Sequence, residues 1–106
     1  MTAFASDERL KTNIKPLENA LDKVLSLSGF TYTFNEIGES LGFSQANIHV
    51  GVSAQQVQAV LPEAVVPAPA NSEYLTVKYE KIVPLLIEAI KELSQKVSDL
   101  EDKLNK

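Results

Sequence analysis

The chain has 106 residues, no cysteine and a formal net charge of −4. That length suits one small domain; the acidic balance offers no basic surface for nucleic acid or anionic lipid; the missing thiols exclude a disulfide framework and a thiolate metal site. Apolar residues make up 44%, enough for a modest core that is marginal at this size and often completed by association, and no apolar run approaches the ~20 residues of a membrane span or forms a signal peptide.

Residues 1–5 carry no periodicity. Met1 stands five residues ahead of Ser6, which suits an expression start or an excised domain better than a natural leader. The stretch Ser6-Asp7-Glu8-Arg9-Leu10-Lys11 then places one hydroxyl and one amine five positions apart. A serine oxygen is a poor nucleophile until a base takes its proton. Lysine is such a base only when neutral, and its free pKa is ~10.4; burial disfavours the ammonium. A working Ser–Lys pair therefore requires a dry pocket. It also requires a turn: an extended strand puts the two on opposite faces, and a regular helix sets them about 140° apart. By composition alone the pair is a weak signal, and a solvated tail is the plain alternative.

Residues 12–15 read as a loop. Pro16 suits the first turn of a helix, and Leu17, Ala20, Leu21, Val24 and Leu25 recur at helical spacing. A helix is expected over 16–27, with Gly29 as its stop. Over 30–34 aromatic residues alternate with threonine, placing Phe30, Tyr32 and Phe34 on one strand face. That stripe reads as core, since no Lys or Arg is interleaved to attract a phosphate backbone. Residues 35–47, with Gly38 and Gly42, read as a loop.

A short strand is expected over 48–52. Ser53 is placed to cap a helix over 54–61, which Pro62 ends. A brief strand over 64–66, a stiff loop around Pro67 and Pro69, and a strand over 74–77 follow. From about residue 79 to 105 one long helix is expected. Tyr79, Leu86, Leu93 and Leu100 are seven apart, and so are Val83, Ile90, Val97 and Leu104; together they form an a/d heptad seam. The first half is wider, with Ile82, Leu85, Ile87 and Ala89 also apolar, as if packed on its own domain. After Leu93 only the seam is apolar, which points to partner helices. Lys96 at g and Glu101 at the next e suit a weak interhelical ion pair. Pro84 falls in the first turns or kinks the helix. Val/Ile at a with Leu at d nominally favours two strands.

The run Ser6-Asp7-Glu8-Arg9-Leu10-Lys11-Thr12-Asn13-Ile14 resembles the opening of the S74 peptidase family, the C-terminal intramolecular chaperone domains of phage endosialidases, tail spikes and tail fibres. The resemblance continues through Phe30-Thr31-Tyr32-Thr33-Phe34, His49-Val50-Gly51-Val52-Ser53-Ala54-Gln55-Gln56-Val57, Val60-Leu61-Pro62-Glu63 and Val77-Lys78-Tyr79 to Ile87-Glu88-Ala89-Ile90-Lys91-Glu92-Leu93. It implies an α+β fold: short helices and a small antiparallel sheet, then a long helix in a homotrimeric coiled coil. It implies cleavage at Ala5–Ser6, with residues 1–5 a remnant of the upstream fibre and 6–106 the chaperone and autoprotease. Ser6 would be the nucleophile and Lys11 the base, with His49 and Gln55 as pocket residues. The implied partners are two further copies and the fibre on the same polypeptide, folding in the host cytoplasm during virion assembly. No cofactor, metal, nucleic acid or membrane is expected. Two other readings stay open: a structural trimerisation tip without chemistry, and a cytosolic regulatory domain akin to modules that release transcription factors from membranes.

Overall fold

The computed structural model describes residue 3 and residues 5–105; the rest of the expected upstream remnant, Met1, Thr2 and Phe4, lies outside the described residues. A 3-10 turn over Glu8–Leu10 comes first. The regular elements are α1 (Ala20–Leu25), β1 (Gly29–Tyr32), α2 (Glu36–Ser40), β2 (His49–Val52), α3 (Ala54–Val60), β3 (Val65–Pro67), β4 (Leu75–Val77) and α4 (Ile82–Leu104). The architecture is α+β with a long C-terminal helix, as expected. The strands form two separate antiparallel ribbons, β1 with β2 and β3 with β4, where one small sheet was anticipated.

Both fully buried large side chains, Val57 on α3 and Leu85 on α4, belong to one core cluster. Ala20 and Leu21 of α1, Leu61 and Ala64 after α3, and Ile82 and Ala89 of α4 complete the core. Ser53 caps α3 as the sequence predicts, its Oγ accepting from the Gln56 amide at 3.3 Å. Pro62 opens a 3-10 turn that ends the segment. Pro84 lies within the first turn of α4, where a missing amide costs little.

Three elements differ from expectation. The helix predicted over 16–27 shrinks to Ala20–Leu25. Asn19 adopts a left-handed backbone (φ 55°) that no continuing α-helix accommodates, so residues 12–19 form an arm. That arm lies beside α4: residues 14–17 line a shared shallow groove with Pro84, Ile87 and Glu88, and Leu17 packs against the core. The loop expected over 35–47 contains α2, whose five residues are capped by Asn35 Oδ1 accepting from the Gly38 amide at 3.0 Å. The helix expected from residue 79 begins as a 3-10 turn over Tyr79–Lys81 before α4 proper.

The molecule is extended. Its radius of gyration is 17.9 Å, against about 13 Å for a compact domain of this length. Its accessible surface is 8474 Å², against about 5,800 Å² for a compact monomer of this mass. The excess comes from α4, which continues past Ala89, its last core residue, for more than half its length. Every seam residue from Tyr79 to Leu104 is exposed in the single chain.

Candidate functional site

The turn that a Ser–Lys pair requires is present. Asp7 caps the 3-10 turn, its Oδ1 accepting from the Arg9 amide at 2.9 Å. The Arg9 guanidinium closes back on the same carboxylate, with Nη2 donating to Oδ2 at 2.7 Å. Those hydrogen bonds, the side-chain one first, hold the Asp7 carboxyl below the usual carboxylate range and raise the Arg9 guanidinium above its own. The turn folds the chain so that Lys11 Nζ donates to Ser6 Oγ at 2.9 Å. With the amine neutral, the same line serves the reverse bond, the hydroxyl donating to the nitrogen lone pair. Ala5, Ser6 and Lys11 are all exposed in the single chain.

His49 and Gln55 stand elsewhere. His49 stacks on Tyr32 with ring centroids 5.4 Å apart and meets the edge of Phe34 at 5.1 Å. Gln55, on the first turn of α3, lines an open cavity of about 660 Å³ together with Phe30, Tyr32, Phe34, Phe43 and Tyr79. Neither Ser6 nor Lys11 belongs to that lining. The structure thus joins Ser6 to Lys11 and places His49 and Gln55 with the aromatic side chains. The stripe expected to be core is only partly so: Tyr32 and Phe34 are half-buried and Phe30 is exposed.

Two supporting contacts escaped the sequence reading. Glu92, on α4, reaches α1 across 72 positions: its Oε2 accepts from the buried Ala20 amide at 2.7 Å and its Oε1 from the Leu21 amide at 3.4 Å. Asn19 makes no side-chain cap there, so Glu92 takes that place and fastens the arm to α4. No local signal marks such a pairing. The second is made by Tyr79, whose hydroxyl accepts from the Val52 amide at 3.3 Å and lies 2.8 Å from where a β-carbon on Gly51 would stand. A side chain at Gly51 would displace that hydroxyl. The contact ties β2 to the first seam residue.

The sequence pattern of a family described as peptidase S74, chaperone of endosialidase, matches residues 6–66, beginning at Ser6. Long tail fiber protein Gp37 of Enterobacteria phage K3 is 45% identical over 101 residues, which is 93% of this chain and 8% of that protein. The corresponding protein of Enterobacteria phage T2 is 45% identical over 93% of this chain and 7% of its own length. That of Enterobacteria phage M1 is 39% identical over 93% of this chain and 39% of its own. The chain therefore spans less than a tenth of the K3 and T2 relatives. With the pattern covering more than half of its residues, this chain belongs to the S74 peptidase family, the chaperones of endosialidase.

Proposed function

We propose that this chain is the C-terminal intramolecular chaperone of a phage tail fibre, which trimerises through α4, holds three fibre ends together while they fold, and then severs itself at Ala5–Ser6. The observation that carries the chemistry is the 2.9 Å contact between Lys11 Nζ and Ser6 Oγ, at the residue where the family match begins. The uncovered seam of α4 supports the assembly, and the tail-fibre names of the relatives support the client. The seam nominally prefers two strands, and the wider face of its first half is already packed in the chain's own core, so the choice of three copies rests on the family resemblance.

Neutral Lys11 takes the proton of Ser6 Oγ as that oxygen attacks the carbonyl carbon of Ala5. The C–N bond to Ser6 breaks, the proton passes from Lys11 to the departing nitrogen, and the Ala5 acyl group is left as an ester on Oγ. Water opens the ester, giving an Ala5 carboxylate and a Ser6 with free amine and hydroxyl. Asp7 and Arg9 hold the turn and take no part in the transfer. Within one chain His49 and Gln55 stand apart from the dyad, because they line or adjoin a different cavity.

The chaperone logic is kinetic. Long-range strand pairing is slow and exposes sticky edges. A helical clamp that associates first raises the effective concentration of three tethered ends. Cutting it off leaves a fibre protected by a high unfolding barrier. The test is a fusion to a trimeric client: Ser6→Ala and Lys11→Ala should assemble as wild type and retain the domain. Normal release by either variant on a denaturing gel would end the dyad reading.

The exposure of Ser6 and Lys11 in the single chain favours a second reading, a trimerisation tip that never cleaves. Incubating the assembled chain and weighing it separates the two, since only the enzyme loses residues 1–5.

A further inference from the structure

The faces of α4 are arranged with a handedness that the single chain leaves unused. The seam occupies one face. Ile82, Leu85, Ala89 and Glu92 turn toward the head formed by α1, α3 and the ribbons. Pro84, Ile87 and Glu88 turn toward the arm. On a wheel of about 100° per residue, the head-facing residues centre about 90° to one side of the seam and the arm-facing residues about 145° to the other. Head and arm therefore flank the seam on opposite sides. When three helices associate in parallel around a threefold axis, every contact is heterologous, and the arm of each copy meets the head of the next.

Both surfaces carry uncovered apolar side chains. On the arm and the turn before it, Ile14 is 69% and Leu10 77% exposed. On the head, Tyr79 is a seam residue that touches Gly51 and receives the Val52 amide, so β2 is a head element beside the seam, and its Val50 is 80% exposed. The arm runs toward the same end of α4, since Ala20 meets Glu92 while residues 14–17 meet Pro84 and Ile87.

We propose that each Ser6/Lys11 pair is completed by the neighbouring copy, whose β1–β2 ribbon covers Leu10 and Ile14 of the arm and removes the dyad from water. This rests on the self-cleavage reading above. A second copy supplies the dry surroundings that the single chain lacks around the amine, and cleavage waits for assembly because the pocket is built across two chains.

The chain lacks cysteine, so Leu10→Cys in an uncleavable Ser6→Ala background accepts a single maleimide–benzophenone probe. Irradiation of the assembled protein should give cross-links between chains that map by mass spectrometry to 29–34 and 48–52. Cross-links confined within one chain, or between two arms, would overturn the shared site. In the cleavable chain, Val50→Asp should leave the native mass and helical content unchanged. It should slow release on the order of a hundredfold, the scale of a misplaced reacting pair; undiminished release would also overturn the proposal. Normal release by Ser6→Ala would instead remove the dyad reading while the cross-links still reported the packing.

Discussion

Lys11 and Arg9 are both cations on one short turn, yet only one of them can serve the chemistry. Arginine does not give up its proton in proteins. Lys11→Arg should keep the charge, the reach and the assembly, and abolish release; intact mass after incubation reads the outcome, and any loss of residues 1–5 would remove lysine from the mechanism. Asp7 acts on the turn. Its carboxyl is depressed by Arg9, so the contribution of that pair is present above the ordinary carboxylate range and is lost as pH falls through the depressed value. Being exposed, the pair is also weakened by salt. Asp7→Asn should slow release without stopping it, and the slowing should shrink as salt is added to the wild type; equal rates at low salt would show that the turn holds without the ion pair. Glu92 has a different task. Its loss leaves the buried Ala20 amide without a partner, a cost of about 1–3 kcal/mol. Glu92→Ala should lower the urea midpoint by that measure and Glu92→Gln by less, since the amide oxygen still accepts. Equal midpoints for all three would mean that the α1 amide finds water.

At the scale of elements, the sequence disclosed those whose signal is local and repeated. The helical period of α4 was legible along its whole length, and its seam is exposed in the single chain, as is every residue from Leu93 to Asn105. The Ser53 cap and the Pro62 stop were equally legible, because each acts within four residues. The five-residue α2 was not, for it is too short to show a period and its glycines imitate a loop. Nor was the late start of α1: Leu17 satisfies the helical pattern, but it packs against the core from an arm beyond the left-handed Asn19. Of the site, the turn that a Ser6/Lys11 pair demands was legible from chain geometry, whereas the pair itself stood out only through the family resemblance, its spacing alone being a weak signal. Glu92 was not, because the amide it caps lies 72 positions away. The aromatic stripe misled in part, since alternation reports a shared face and says nothing of what covers it. The seam carries its own test. Leu93→Asp and Val97→Asp touch no core residue, so the double variant should keep the far-ultraviolet spectrum of a folded head and sediment as a monomer at every concentration. A trimer surviving both charges would place the interface elsewhere.

For the whole molecule, the question is whether α4 matters as glue or as a protractor. Its core residues end at Ala89, with Glu92 one turn on, so replacing residues 94–106 with an unrelated parallel trimeric coil leaves the head's own packing untouched. If assembly only raises local concentration, any such coil restores release. If the arm of one copy must face the ribbon of the next, rotational phase matters as well. A coil joined in heptad phase should restore release to the wild-type rate. Two residues inserted at the junction turn the head by about 200° relative to the seam. That fusion should still sediment as a trimer, retain the 2.9 Å pairing of Ser6 and Lys11 that needs only its own turn, and fail to release its client. Equal release from both fusions would make proximity sufficient and the facing of the copies irrelevant. Release from the in-phase fusion alone would show that the angle at which α4 presents its two flanks decides when the chain is cut.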